Sequence, residues 1–251
     1  QEGFKEVTLL GQTVNSYREG DTDFADLLRE VSAVDGIERV RFTSPYPVDF
    51  TDRVVAAMAE VNEVCPSLHL PVQSGSNKQL DTMQRGYTIE GYRELIRKLR
   101  IAVPTIALTT DIITGFCGES DEDFRLTYEL MEEIRYDSAF TFKYSAREGT
   151  YAHKKMSDDI PEKIKGERLQ RVIKLQEGIS REVNRQHIGQ TVEVLVEGPS
   201  KRPAKDGQPR FYGRTRQGKT AIFTQEIQSN EIVNVRVADT TSHTLLGEIA
   251  E

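Results

Sequence analysis

The sequence predicts an α/β fold, a partial parallel (β/α) barrel followed by a small all-β barrel. The first part is predicted because short β-type apolar runs alternate with amphipathic stretches, and glycine or polar residues follow each run. Repeats of strand and helix form parallel sheets with right-handed crossovers. From residue 189 onward the amphipathic stretches give way to short strands separated by turns. We therefore predict two domains, residues 1–188 and 189–251.

Strands and helices alternate regularly in the first domain. The predicted strands are residues 7–10, 40–43, 68–72, 106–114 and 139–145. The predicted helices between them are residues 23–34, 51–64, 89–102 and 121–135. A complete barrel of this type has eight strands, so the barrel predicted here is incomplete. Ligands of such barrels bind at the carboxyl ends of the strands.

A long amphipathic segment, residues 157–188, follows the fifth predicted strand and predicts a helix that closes the barrel or leads to the next domain. Three strands are predicted beyond it, at residues 192–196, 219–223 and 232–237. A module of about sixty residues with this pattern is compatible with a compact β-barrel.

The composition is that of a soluble protein, with 37% hydrophobic and 29% charged residues. It contains no apolar run of about 18 residues, so we expect no membrane span and a cytoplasmic location. The two cysteines, Cys65 and Cys117, match no zinc or iron–sulfur spacing. We interpret them as buried free thiols, and we predict no metal ligands in this chain.

The charge is distributed unevenly along the chain. The formal net charge is −7, yet residues 201–219 contain seven basic side chains and one acidic. Cations neutralise phosphates and aromatic rings stack on unpaired bases, so this segment predicts RNA binding; a solvated charge run is the alternative. The candidate RNA-binding residues are Lys201, Arg202, Arg210, Phe211, Tyr212, Arg214 and Arg216.

Polar loops follow all five predicted strands, and together they indicate one shared pocket. The candidate ligand-binding residues in these loops include Gly11, Gln12, Ser44, Gln73, Asp111 and Arg147. Asp111 is interpreted as a general base or a ribose contact, or alternatively as a capping partner. His69 lies within a strand, where a hydrogen-bonded interior histidine is the alternative to a catalytic one.

The order of these motifs resembles that of the MiaB-type tRNA methylthiotransferases over essentially the whole chain. The matching motifs of the first domain are GQTVNSY, FTSPYP, LHLPVQSGS, MQRGYT, LTTDIITGFCGES and FTFKYSAREGT. Those of the tail, VLVEGPSKR, FYGRTR and SHTLLGEI, resemble the TRAM domain of that family. The RimO-type branch, which modifies a ribosomal protein, and a non-catalytic RNA-binding fragment stay open as alternatives.

The resemblance implies a partial radical S-adenosylmethionine (SAM) barrel followed by a TRAM barrel. The implied reaction is radical methylthiolation of C2 of N6-isopentenyladenosine beside the anticodon, with SAM and two 4Fe–4S clusters as cofactors. The implied partners are the tRNA anticodon stem-loop and an electron donor, and the complete enzyme is expected to be a monomer. The residues assigned to SAM by their place in the fold are Gly11, Gln12, Ser44, Gln73, Asp111, Ile112 and Gly115, with Asp111 as the catalytic candidate.

Two family features are absent from this sequence. The CxxxCxxC loop that follows the first barrel strand is missing, as is the N-terminal domain that carries three further cysteines. We therefore expect the chain to be the C-terminal portion of a longer protein and to be inactive alone. Cys117 stands where relatives often have proline, and Tyr46 where they often have histidine.

Overall fold

The protein is described by a computed structural model that covers residues 3–200 and 209–250. The elements of the first domain are β1 (Glu6–Leu9), β2 (Arg18–Glu19), β3 (Thr22–Asp23), α1 (Phe24–Ser32), β4 (Arg39–Phe42), α2 (Asp52–Glu60), β5 (Ser67–His69), α3 (Asn77–Thr82), α4 (Ile89–Ala102), β6 (Ala107–Thr114), α5 (Asp121–Ile134), β7 (Ser138–Lys143), α6 (Tyr151–Lys155) and α7 (Glu162–Arg185). The elements of the second are β8 (Thr191–Pro199), β9 (Phe211–Thr215), β10 (Thr220–Phe223), β11 (Ile232–Thr240) and β12 (Thr244–Ile249). Within the described ranges, no helix is long and apolar enough to cross a membrane.

Parallel pairing runs through the five long strands of the first domain. Strand β1 pairs with β4, and β5 pairs with β6, which pairs with β7, all in parallel. The two groups are joined where Val40 of β4 forms a parallel bridge with Val64, just before β5. The spatial order is therefore β1-β4-β5-β6-β7, and the prediction of a partial parallel barrel is confirmed.

The two faces of the sheet have different surroundings, as the alternating burial along β6 shows. Leu108 and Ile112 are fully buried in one apolar core with Leu99 of α4 and Leu130 of α5. The intervening side chains of β6 are only half-buried and face away from these helices. Helices therefore cover one face, and the opposite face is left partly exposed.

The third parallel strand, β5, ends at His69, whereas the sequence predicted a strand over residues 68–72. It is shorter because Pro71 has no N–H to donate to a neighbouring strand. Pairing resumes beyond it, where Gln73 forms a parallel bridge with Ile112. Helix α2 likewise ends early, at Glu60, and the chain then turns to pair with β4. The sequence analysis missed the short elements β2, β3, α3 and α6, which are below the length at which periodicity is informative.

The second domain is a closed barrel in the order β10-β12-β11-β8-β9. Two of its strands, β9 and β12, were missed in the sequence, and β9 lies within the basic segment. Gly213 in β9 permits close packing, because a Cβ there would lie 2.2 Å from the Leu195 carbonyl oxygen of β8. The small all-β barrel predicted for the tail is confirmed.

The two domains are joined by a buried arginine at the amino end of β4. Arg39 is fully buried, and its guanidinium donates to Glu193 Oε1 at 2.8 Å and to the Arg214 carbonyl at 2.8 Å. Glu6 of β1 lies 3.8 Å away on the other side. A buried guanidinium is tolerated only when its donors are paired, and here the second domain supplies most of the acceptors.

Further contacts place the β9–β10 hairpin against the amino ends of the parallel strands. Arg41 donates to the carbonyls of Thr215, at 2.8 Å, and Arg216, at 3.0 Å. Lys219 forms an ion pair with Asp137, which immediately precedes β7. The hairpin therefore docks at the amino ends of the parallel strands. The loops predicted to bind a ligand lie at the opposite, carboxyl ends.

Candidate functional site at the carboxyl ends of the parallel strands

A cavity of about 580 Å³ opens at the carboxyl ends of β5, β6 and β7. Its walls come from the loop after β5, the segment between α3 and α4, the end of β6, the segment after β7 and the start of α6. A volume in this range suits a ligand of cofactor size. Of the residues assigned to SAM from the sequence, Gln73 and Asp111 line this cavity.

The backbone of Gln73, which lines the cavity, is hydrogen-bonded on both sides to β6. Its N–H donates to the Asp111 carbonyl at 2.8 Å, and its carbonyl accepts from Ile113 N at 2.9 Å. Its φ is 69°, in the left-handed region that is costly for a residue with a side chain. Strain of this kind persists where the surroundings impose it and is often found at functional sites.

Asp111 presents a carboxylate to the cavity beside a histidine. The side chain of Asp111 is 26% exposed, and its Oδ1 lies 3.5 Å from His69 Nε2. The other ring nitrogen of His69 lies 2.9 Å from Thr109 Oγ1, and the ring packs edge-on against Phe140. Both nitrogens of His69 therefore have partners, which favours its interpretation as an interior histidine that orients Asp111.

An apolar wall faces these polar groups. Ile113, Phe116, Phe142 and Tyr144 line the cavity, and the rings of Phe116 and Tyr144 meet edge-to-face at 4.7 Å. Burial, followed by the neighbouring Cys117 thiol, raises the pKa of Tyr144 to about 12. The wall is thus neutral at physiological pH and suited to a flat heteroaromatic ring.

Ile112 does not lie in this wall, contrary to its assignment from the sequence. Its side chain is fully buried in the core behind the sheet, because alternate residues of β6 point to opposite faces. Ile113 takes its place at the cavity.

Gly115 also has a packing role rather than a lining one. Its φ is 72°, and a Cβ there would lie 2.4 Å from Lys165 Cγ of α7. Its N–H donates to Glu119, whose carboxylate accepts from Arg168 at 2.6 Å. Gly115 therefore allows α7 to approach the end of β6.

The remaining residues assigned to SAM form a separate rim at the ends of β1 and β4. Gly11, Gln12 and Ser44 are exposed, and the Ser44 carbonyl accepts from Val14 N at 3.3 Å. Ser44 has a φ of 58°, so both Ser44 and Gln73 have left-handed backbone geometry in the loops that follow β4 and β5. None of the three lines the described cavity.

The segment between α3 and α4 supplies a wall that the analysis of individual residues missed. Met83 and Arg85 line the cavity, and the Tyr46 hydroxyl donates to the Arg85 carbonyl from the loop after β4. Tyr87 anchors the same segment, because its hydroxyl donates to the carbonyls of Pro71 and Val72, each at 3.2 Å. The available signal was the MQRGYT motif, which contributed to the family resemblance but was assigned no role.

The rim loop after Gln73 is fixed by the carboxylate of Asp123 in α5. Its Oδ1 accepts from Ser76 Oγ at 2.6 Å, and its Oδ2 accepts from Lys78 Nζ at 2.8 Å and Ser120 N at 2.9 Å. Burial opposes its ionisation, but these hydrogen bonds outweigh burial and lower the pKa of Asp123.

We expect the substitution Asp123→Asn to lower the free energy of unfolding by about 2 kcal/mol at neutral pH, because it weakens several hydrogen bonds to a charged acceptor. Because the pKa of Asp123 is lower in the folded protein, its stabilisation is present above about pH 4 and is lost as the pH falls further. Urea denaturation between pH 3 and pH 7 measures this effect. Glu122→Gln, on the exposed face of α5, is the control, and equal losses in both variants would contradict the prediction.

The candidate RNA-binding residues of the tail have several different environments. Lys201 and Arg202 lie outside the described residues, and Arg210 and Tyr212 are half-buried. Phe211 is 8% exposed and stacks against Phe223 inside the barrel, so its ring has no free face for a base.

Two further tail cations have protein partners. Arg214 is exposed but pairs with Glu197 at 3.1 Å. Arg216 donates to the carbonyl of Asn62 in the first domain, and its own carbonyl accepts from Arg41. Part of the basic segment therefore holds the two domains together.

The described residues contain no group of three or more side chains from Cys, His, Asp and Glu that could hold a metal ion. Cys65 and Cys117 are buried free thiols. Cys65 precedes β5 at the amino end of the sheet and Cys117 follows β6 at the carboxyl end, so the two cannot ligate one cluster. Burial raises the pKa of the Cys65 thiol.

Comparison with known proteins agrees with this architecture. The sequence model described as the Radical SAM superfamily matches residues 1–131, and the TRAM domain model matches residues 185–250. The chain belongs to the radical SAM superfamily. This match confirms the partial radical SAM barrel and the TRAM barrel indicated by the motifs.

Curated relatives extend the similarity to nearly the whole chain. The chain is 48% identical to the tRNA-2-methylthio-N(6)-dimethylallyladenosine synthase of Alkaliphilus oremlandii, covering 99% of this chain and 53% of that one. It is 47% identical to the enzyme of the same name from Porphyromonas gingivalis, covering 99% and 54%. Thus the resemblance to MiaB-type methylthiotransferases is confirmed, and the radical SAM chain spans about half the length of these relatives.

Among solved structures, coproporphyrinogen III oxidase from Escherichia coli, a radical SAM enzyme, aligns with a TM-score of 0.46 at 13% identity. The alignment covers 94% of this chain and 66% of that one.

Proposed function

We propose that the complete protein methylthiolates C2 of N6-dimethylallyladenosine, also called N6-isopentenyladenosine, beside the anticodon of tRNA. The observation that carries this proposal is the cavity at the carboxyl ends of a radical SAM sheet, in a chain nearly half identical to enzymes named for that product. The TRAM barrel supports an RNA substrate. The same proposal includes a domain boundary at residues 188/189, a cytoplasmic location and a monomeric complete enzyme.

The cavity has the chemistry to hold SAM. The carboxylate of Asp111 and the amide of Gln73 are acceptors and donors for ribose hydroxyls, while Ile113 and Phe116 offer apolar contact to adenine. Gly11, Gln12 and Ser44 would hold the methionine end from the other rim. These residues bind and orient the cofactor and exclude water from it.

The described residues do not fit an iron–sulfur cluster. We propose that two 4Fe–4S clusters, one supplying an electron to cleave SAM and one supplying sulfur, are bound by residues outside this chain. A separate electron donor would reduce them.

The two alternative functions differ from the proposed one in the substrate that they imply. A RimO-type enzyme would act on a ribosomal protein, and a non-catalytic RNA-binding fragment would bind RNA without reaction. The TRAM barrel and the similarity to enzymes named as tRNA-2-methylthio-N(6)-dimethylallyladenosine synthases favour the tRNA substrate. The test is methylthiolation by the complete protein of tRNA carrying N6-dimethylallyladenosine, compared with a ribosomal protein. Transfer to the ribosomal protein alone would overturn the proposal.

We expect this chain alone to assemble no stoichiometric 4Fe–4S cluster, because Cys65 and Cys117 lie at opposite ends of the sheet. The measurement is anaerobic reconstitution followed by iron and sulfide assays and absorbance. The double variant Cys65→Ser/Cys117→Ser is the control and should retain no less iron than the wild type. A 4Fe–4S absorbance band that the double variant loses would contradict this expectation.

A further inference from the structure

Four cations beside the cavity have no acidic partner among the described residues. Arg85 and Arg147 line the cavity wall, and Lys154 and Lys155 are exposed on α6, which contributes its first turn to that wall. None of the four forms an ion pair with a described carboxylate, although Glu148 lies beside Arg147 in the sequence. We call Arg85, Arg147, Lys154 and Lys155 the rim cations.

Many cations of the first domain have an acidic partner, whereas the rim cations have none among the described residues. Exposed arginines on the helical face of that domain are commonly paired, as in Arg93 with Glu133, Arg97 with Glu94 and Arg125 with Glu122. Arg85 is the clearest contrast, because its Nε is buried and has no hydrogen-bond partner in the described residues. Buried donors without a partner are rare in proteins, and Arg85 has this feature at the wall of the cavity.

Exposed aromatic rings accompany the rim cations. Tyr151 is 58% exposed and Phe142 is 50% exposed, and both line the cavity. Cations that follow a phosphate backbone and aromatic rings on which bases stack are the two components of single-stranded nucleic-acid sites. A duplex cannot present a single base to a cavity, whereas an unstacked loop nucleotide can.

We propose that the rim cations bind the phosphates of single-stranded loop nucleotides on either side of the base that enters the cavity, and that Tyr151 stacks on one neighbouring base. This inference rests on the proposed function, because it takes an RNA loop as the substrate. It places the contact with the loop at the cavity rim, because in the TRAM tail Phe211 is buried and Arg216 and Lys219 hold the domain interface. The TRAM barrel is left to contact the adjoining stem.

The test is fluorescence anisotropy of this chain with two RNAs, an anticodon stem-loop and its duplex stem without the loop, over a range of salt. The rim variant carries Arg147→Gln, Lys154→Gln and Lys155→Gln. We expect its affinity for the stem-loop to fall about tenfold and its log–log salt slope to decrease by about two, since each single-strand phosphate contact contributes about 0.7. Its affinity for the duplex stem should change little.

A matched control separates local binding from general attraction. The control carries Lys174→Gln, Arg181→Gln and Arg185→Gln, three exposed cations of α7 that also lack an acidic partner among the described residues. It removes the same charge and should bind the stem-loop nearly as the wild type does. Tyr151→Leu should weaken stem-loop binding about tenfold with an unchanged salt slope, because stacking releases no counterions.

The outcomes separate this inference from the proposed function. If the wild-type chain binds neither RNA, the rim inference is overturned together with the RNA substrate on which it rests. If it binds the stem-loop but the rim variant shows the wild-type affinity and slope, the rim inference is wrong and the proposed function stands. Equal losses in the rim and α7 variants, or an equal loss for the duplex stem, would also overturn it. Each variant should have the same thermal unfolding temperature as the wild type, which establishes that it is folded.

Discussion

The substitution Arg39→Ala is expected to lower the free energy of unfolding by about 3 kcal/mol and to uncouple the TRAM barrel from the first domain. Removing one member of a buried ion pair leaves its partners desolvated without compensation, at a cost of about 3–5 kcal/mol. The lower end applies because Glu193 is 39% exposed and regains some water. Urea unfolding should change from one transition to two, and proteolysis between α7 and β8 should accelerate.

Arg93→Ala is the control for this experiment. Arg93 also forms an ion pair, with Glu133 at 2.8 Å, but both side chains are at least 40% exposed. Pairs of that kind contribute about 0–1 kcal/mol. If Arg39→Ala and Arg93→Ala were equally stable, the buried arginine would not be what holds the domains together.

The substitution Asp111→Ala in the complete enzyme is expected to weaken SAM binding by about 10- to 100-fold. A hydrogen bond to a charged group contributes about 1.5–3 kcal/mol, which corresponds to this range of affinity. Turnover should fall at least as far, while RNA affinity should stay at the wild-type value because Asp111 lies inside the cavity. Equilibrium dialysis with SAM, RNA anisotropy and single-turnover methylthiolation measure the three quantities.

The control for Asp111 is Asp81→Ala. Asp81 is an exposed carboxylate of α3 with no ion pair among the described residues, and it does not line the cavity. Its removal should leave both SAM binding and turnover unchanged. Wild-type SAM affinity in Asp111→Ala would reject Asp111 as a cofactor contact, and a simultaneous loss of RNA binding would indicate a misfolded variant.

The sequence predicted the positions of only some residues of the candidate site. Gln73 and Asp111 line one cavity, because residues near the carboxyl ends of neighbouring parallel strands meet at one edge of the sheet, while their assignment to SAM stays a prediction. Ile112 was placed on the wrong face, since the phase of a strand depends on which face the helices cover. Arg85 and Tyr151 were given no role, because the segment between α3 and α4 and the five-residue helix α6 are too short to carry a periodic signal.

The sequence by itself determined the alternation of strand and helix, the partial parallel barrel, the β-barrel tail and the family, because periodicity and motif order are local properties of the chain. Tertiary structure alone decided how the basic segment is used. Phe211 became part of the barrel core, and Arg216 and Lys219 became part of the domain interface, while the rim cations lie beside the cavity without an acidic partner among the described residues. The physical reason is that a charge becomes available to a ligand only after the fold has paired or buried its neighbours, and those neighbours are distant in sequence.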